Sequence, residues 1–345
     1  MHIAEAMFNA CIGYQLAIRI LKQEGGHMHR YKQLLVVLNL DDQDRITIEY
    51  AAKVSRMAQS EKVYFLHVAG DLDIPEFLRK EYPDLLPPVN EFARAQVKEL
   101  VAKYFDGHPG IRKVYEIVEG LPLTEVLRLT RRKQIDLVLA GQSIEQQVYV
   151  MLPVKVARKA PCSVLIVPEA VGSQIKNILV PVDFSEFSAD VIDVATALAS
   201  DLEVPGISLL HVYRVPIGYY KTGKTYETFG EIMKKHAQKR YQEFIDNCAL
   251  RGVTAASLFR LGHDPSKIIN KVVYEQGVDL VVIGARGRTN DAAALLGSVT
   301  ERVIRSSRIP LMVVKKKGSG LGLLDALLKS NGKNLETNHN SKRST

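Results

Sequence analysis

The feature that most constrains this chain is an internal repeat: the same succession of apolar runs is written twice. Leu34-Leu35-Val36-Val37-Leu38 returns as Ile178-Leu179-Val180-Pro181-Val182, displaced by 144 (178 − 34). Phe65-Leu66-His67-Val68 returns as Leu209-Leu210-His211-Val212 at the same displacement. Gly120 matches Gly262 at 142, and the run from Ile135 to Gly141 matches Val278 to Gly284 at 143. Four landmarks in near-constant register indicate a duplication. With 345 residues there is room for two domains of about 150 each. The repeats occupy 31–168 and 174–316, leaving an N-terminal extension, 1–30, and a tail, 318–345.

Within each copy, short runs that are apolar on both faces alternate with segments of helical period. In the second copy the strands fall near 178–183, 207–213, 254–260, 278–284 and 310–315. Helices are expected over Ser188 to Ser200, Tyr226 to Cys248, Pro265 to Gln276 and Ser298 to Ser307. That alternation predicts an α/β fold, two tandem doubly wound parallel sheets covered by helices on both faces. Such sheets bind ligands beyond the carboxyl ends of their strands, so the residues just after each strand matter most. The last strand of each copy, Val164 to Val167 and Leu311 to Val314, would be an open edge. We expect these two strands to pair antiparallel within the chain, and the chains to associate further into dimers.

Composition narrows the class. No run reaches the roughly 18 apolar residues of a membrane span, and Met1 to Leu21 lacks a secretory signal's basic start and cleavage site. A cytoplasmic protein is the default expectation. Cys11, Cys162 and Cys248 have no metal or redox spacing. The net charge of +8 includes Arg131-Arg132-Lys133 and Lys315-Lys316-Lys317, but no aromatics are interleaved with them. These clusters read as solvated helix and strand ends, not as a nucleic-acid surface. The tail has one short apolar helix candidate, Leu321 to Leu328, followed by polar residues typical of disorder.

Two patterns compete for phosphate. After the fourth strand of the second copy comes Gly284-Ala285-Arg286-Gly287, and nine residues later Gly297-Ser298 opens a helix. Glycines let backbone approach a phosphate, and free amides at a helix start face an anion that the helix dipole favours. Arg286 and Arg288 would add charge. The rival, Gly218-Tyr219-Tyr220-Lys221-Thr222-Gly223-Lys224-Thr225, satisfies G-x-x-x-x-G-K-[ST] between a strand and a helix. Four residues separate it from its strand, two tyrosines fill the cradle, and no strand ending in Asp follows in the Walker-B role. A surface loop, or a lid whose Lys221 or Lys224 reaches a ligand held elsewhere, accounts for it better than a P-loop does.

Gly284, Gly287, Gly297 and Ser298 reproduce the pattern G-x2-G-x9-G-[ST], and here the sequence resembles the universal stress protein family. Ile178 to Asp183, Leu210-His211-Val212 and Gly277 to Gly284 add to the resemblance, which spans both repeats. It implies five-stranded parallel sheets of order 3-2-1-4-5 and a site for ATP, with magnesium. By that resemblance Pro181, Val182 and Asp183 end the first strand at the nucleotide, with Asp183 near the ribose or a magnesium ion. Val212 would meet the adenine edge, while Gly284 to Gly287 and Gly297, Ser298 and Val299 would hold the phosphates. Read alone, Asp183 is more readily a cap for the following turn. The first copy departs at each place: Asn39 stands for Asp183, no second glycine follows Gly141, and Val150 and Met151 stand opposite Gly297 and Ser298. It reads as a degenerate, structural half.

Catalytic residues are harder to find. His211 repeats as His67 in the degenerate copy, which argues for packing, and His263-Asp264 reads as the start of the helix at Pro265. Asp183-Phe184-Ser185-Glu186-Phe187 lacks the signatures of adenylyl-transferring relatives. The sequence therefore predicts an ATP-binding regulatory protein without efficient turnover. The alternatives are a slow ATP-hydrolysing or adenylyl-transferring enzyme and a nucleotide-independent interaction module.

Overall fold

The computed structural model describes residues 30–69, 81, 89–142, 147–169, 171, 172, 174–287, 296–316 and 318. Cys11, Arg288 and the helix candidate Leu321 to Leu328 lie outside these residues.

The first half runs β1 (Gln33–Leu38), α1 (Gln43–Met57), β2 (Lys62–Ala69), α2 (Val89–Tyr104), β3 (Arg112–Glu119), α3 (Pro122–Arg132), β4 (Leu137–Gln142), α4 (Gln147–Lys159) and β5 (Ser163–Pro168). The second runs β6 (Ile178–Pro181), α5 (Glu186–Asp201), β7 (Gly206–Tyr213), a 3-10 turn (Tyr219–Thr222), α6 (Tyr226–Ile245), β8 (Thr254–Leu261), α7 (Pro265–Glu275), β9 (Leu280–Gly284), α8 (Ser298–Ser306) and β10 (Leu311–Val314). The expected strands and helices of the second half are all present, with ends shifted by at most three residues.

The duplication reaches single bonds. Leu40 and Phe184, 144 apart, both take a left-handed φ, 62° and 59°, in the turn after the first strand of each half. Asp136 accepts from the amides of Lys32 (3.0 Å) and Gln33 (2.8 Å), as Asp279 does from Lys176 (2.8 Å) and Asn177 (2.9 Å). His67 and His211 each place Nδ1 about 3 Å from a first-strand carbonyl, that of Leu38 (3.0 Å) and Val182 (2.9 Å). A carbonyl only accepts, so each ring donates from Nδ1 and ties two neighbouring strands together. This is the packing role expected from the repetition of the histidine.

Each half forms a parallel sheet of order 3-2-1-4-5, and the halves join into ten strands, β3-β2-β1-β4-β5-β10-β9-β6-β7-β8. The junction is the antiparallel pair β5–β10, with Leu165 opposite Met312, as the edge argument predicts. Helices from both halves close over it. Arg158 on α4 pairs with Glu301 on α8, and the Gln142 side chain donates to the Ile304 carbonyl (3.3 Å). Lys315, after β10, donates its buried ammonium to the carbonyls of Ala160 (2.7 Å) and Arg158 (3.3 Å) at the end of α4. Two apolar layers, one on each face of the sheet, run unbroken across the junction, from Leu34 to Val314 on one face and from Leu35 to Val313 on the other.

Candidate functional site

At the carboxyl ends of β6, β7 and β9 lies a cavity of about 280 Å³, at the small end of the range for small-molecule pockets. Its mouth is made by Asp183, Val212, Gly284, Arg286, Gly287 and the first turn of α8. Every expected site residue within the described portion, Pro181, Val182 and Ser298 to Val299 included, lines it. Arg288 lies outside the described residues.

Local bonds pin the two phosphate-side elements together. The Gly297 amide donates to the Ala285 carbonyl (2.7 Å), and the Thr300 hydroxyl donates to the Gly284 carbonyl (2.7 Å). Helix α8 therefore starts directly against the end of β9. Its cap residue is Gly297, which has no side chain to satisfy the first turn. The first amide to join the helical ladder is that of Glu301, donating to the Gly297 carbonyl (2.9 Å). This leaves the amides of Ser298, Val299 and Thr300 directed out of the helix start, where an anion is favoured.

Glycine is needed at two points around this mouth. A Cβ on Gly287 would come within 2.8 Å of Asp183 Oδ2, and one on Gly284 within 2.9 Å of the Phe187 ring. Asp183 itself is held in place: Oδ1 accepts from the Ser188 hydroxyl (2.8 Å) and the Ser185 amide (3.1 Å). The capping reading of Asp183 is thus met by Oδ1, while Oδ2 faces the glycine loop. Ser185, not Asp183, caps α5, its hydroxyl accepting from the Ser188 amide (3.3 Å). Sequence reasoning did not single out Phe187, Ser188, Val191, Ile269 or Thr300, which also line the cavity. The regular spacing of Phe187, Ser188 and Val191 on α5 was the available signal.

The rival phosphate loop is built differently. Gly218 and Gly223 take left-handed φ values of 85° and 70° and bracket the 3-10 turn. The Lys221 and Gly223 amides are spent inside it, on the Gly218 (3.0 Å) and Tyr220 (3.1 Å) carbonyls. Thr225 caps α6 through Thr228 (3.2 Å). No cradle of convergent amides forms there. His263 packs near the Tyr226 ring (6.5 Å), and Asp264 caps α7 through the Ser266 amide (3.0 Å) while pairing with Arg302 (3.2 Å). The Ser266 hydroxyl, then the Arg302 charge, hold the Asp264 carboxyl below its usual range.

The equivalent place in the first half carries different side chains. Helix α4 spans Gln147–Lys159, so Val150 and Met151 are its fourth and fifth residues, not the cap and first residue that Gly297 and Ser298 are to α8. Gln43 replaces Phe187 and is buried beneath Gly141, its amide donating to the Val167 carbonyl (2.7 Å). Asp44 takes the place of Ser188 and accepts from the amides of Asn39 (3.0 Å) and Leu40 (2.7 Å). Burial, reinforced by Asp41, pushes the Asp44 carboxyl up to about 7 against the pull of those amides.

Residues 30–168 and 174–315 each match the universal stress protein family. The chain belongs to that family. Universal stress protein MJ0577 of Methanocaldococcus jannaschii is 30% identical over 159 residues, 42% of this chain and 97% of the relative. The universal stress protein E homolog of Haemophilus influenzae is 25% identical over 308 residues, 83% of this chain and 98% of its own length. Solved structures of a universal stress protein from Archaeoglobus fulgidus and of protein PA1789 from Pseudomonas aeruginosa share the fold. Their TM-scores are 0.56 and 0.60 at 17% and 16% identity; they cover 85% and 88% of this universal stress protein and 99% of their own chains. Among the described residues no helix is long and apolar enough to cross a membrane.

Proposed function

We propose that this universal stress protein binds one ATP, in its second half, and acts as a cytoplasmic regulatory protein of the stress response. The observation that supports the reading is the uncapped start of α8, held by two backbone-directed bonds against a glycine loop that carries Arg286. Three free amides at one cavity mouth, with Arg286 in the lining, suit the β- and γ-phosphates. Val212, near the end of β7, would meet the adenine, and Asp183 the ribose. Glycine at position 287, where any side chain would press on Asp183, supports the reading.

Magnesium would arrive with the phosphates and meet Asp183 Oδ2. Among the described residues no group of three His, Cys, Asp or Glu side chains gathers to hold a metal, so the nucleotide has to supply most of the coordination. Holding rather than turning over is the better fit. His211 is tied to Val182, Ser188 to Asp183 and Thr300 to Gly284, so among the described residues these hydroxyls and this imidazole are engaged in the fold rather than paired at the phosphates.

Isothermal titration of the whole chain with ATP and magnesium tests this reading: one site per chain is expected. Val150→Ala, in the first half, should leave the affinity unchanged. Two equivalent sites, or none, would overturn the assignment, and sustained phosphate release would shift it to an enzyme.

A further inference from the structure

A second concavity, independent of the nucleotide reading, opens at the amino ends of the first-half strands. Arg30, Lys32, Lys62, Arg132 and Lys133 surround about 710 Å³ of open space, with Tyr64 at its base. One carboxylate, Asp136, lines it, and a second, Glu116, pairs with two of its cations. Asp136 is engaged by the Lys32 and Gln33 amides, and Glu116 stands 3.7 Å from both Arg132 and Lys133. Arg30 also donates to the Lys315 carbonyl (3.4 Å) and Lys32 to the Gln59 carbonyl (3.0 Å), but carbonyls do not neutralise charge. Five cations against two carboxylates leave the cleft positive.

The second half serves as an internal control. It keeps the structural part of this cleft, in Lys176, Asn177 and Asp279 with the same amide-to-carboxylate bonds. Where the first half has Arg30, Lys62, Arg132 and Lys133, it has Gln174, Gly206, Glu275 and Gln276. The fold therefore does not need those four cations. Their gathering around one hollow, at a cost in mutual repulsion, calls for a ligand.

The antiparallel β5–β10 junction adds a spatial fact. It turns the two halves head to tail, so the amino ends of the first half and the carboxyl ends of the second face the same way. Strands β9 and β1 are four positions apart in the sheet, about 19 Å at the usual spacing. The cleft and the glycine-walled cavity open side by side on one end of the molecule.

We propose that this cleft binds a compact, multiply phosphorylated anion at a site separate from the nucleotide cavity. Several negative charges are required to match the excess, and two guanidiniums with three ammoniums suit phosphate oxygens. A nucleic-acid strand fits less well: Tyr64 is only 6% exposed, too covered to stack a base, and Lys133 lies over its ring at 5.6 Å.

Titration calorimetry with inorganic tripolyphosphate at low ionic strength tests the proposal. Wild type should bind, and Arg132→Glu/Lys133→Gln, which installs the residues of the second half, should weaken binding at least tenfold. Lys62→Gln alone should weaken it measurably, whereas Lys234→Gln/Lys235→Gln on α6 should not change it. Gly297→Val, at the nucleotide cavity, should leave tripolyphosphate binding to the cleft intact. The proposal is overturned if wild type shows no binding, if the α6 control loses as much as the cleft variants, or if Gly297→Val abolishes the signal. Tighter binding of a single-stranded RNA oligomer than of tripolyphosphate would overturn it as well.

Discussion

At the scale of single residues, the site turns on what glycine withholds. Gly297 has φ −70° and ψ 148°, angles that any residue accepts, and a Cβ there would be 3.4 Å from the nearest atom, the Ala285 carbonyl oxygen. Gly297→Val should therefore fold normally while its branched side chain covers the amides at the start of α8. Losing two charge-assisted hydrogen bonds, worth about 1.5–3 kcal/mol each, should weaken ATP at least a hundredfold. Titration beside an unchanged circular dichroism spectrum checks this. Asp44 poses the opposite problem, a carboxyl in a place that its counterpart fills with a hydroxyl. Its folded pKa, about 7, exceeds the ordinary 3.8, so the native state binds the extra proton between those values. Stability then falls as pH rises through that window, and the full cost is present above pH 7. Asp44→Asn should raise stability at pH 8 by on the order of 1–3 kcal/mol and change it little at pH 4. Equal effects at both pH values in thermal melts would contradict the assigned cause. Asp44 was not legible in the sequence as a strained group, because burial of a carboxyl depends on what α1 packs against.

At the scale of elements, the loop of Gly218 to Thr225 shows why a matching pattern is not a site. Its amides are consumed within a 3-10 turn, so Lys224→Ala should leave ATP affinity within about tenfold, or 1.4 kcal/mol. Complete loss in a binding assay would restore the P-loop reading. The alternation of apolar runs made every strand and helix of the second half readable, and the glycine pattern located the loop after β9. The bonds that make the loop usable were not readable. Gly297 to Ala285 and Thr300 to Gly284 join segments that the sequence leaves a dozen or more residues apart. The α5 face below them, Phe187, Ser188 and Val191, followed from helical spacing but carried no motif to mark it.

At the scale of the molecule, one sheet of ten strands with two continuous apolar layers predicts that the halves unfold together. Met312 and Leu165 face each other at the centre, 1% and 2% exposed. Urea denaturation should give a single transition, and Met312→Asp should destabilise both halves at once, because a buried unpaired charge is costly. Two separated transitions in wild type would show that the junction is only a docking contact. The duplication and the antiparallel seam were both legible beforehand, the first from register and the second from the need of an apolar edge for a partner. The helix contacts over the seam, such as Arg158 with Glu301, were not, since either charge reads as an ordinary solvated one.

That seam also changes what a substitution means. If two separate copies met edge to edge about a two-fold axis, every change in one would be repeated in the other, and a new side chain would face its own image. Joining the copies in one chain ends that obligation. Gln142 can reach Ile304 without a glutamine reaching back, and Asp44 can occupy one half while Ser188 keeps the other. The partner is also always present, so the contact does not depend on dilution. Freed from self-complementarity, one half could lose its glycines without harming its neighbour's.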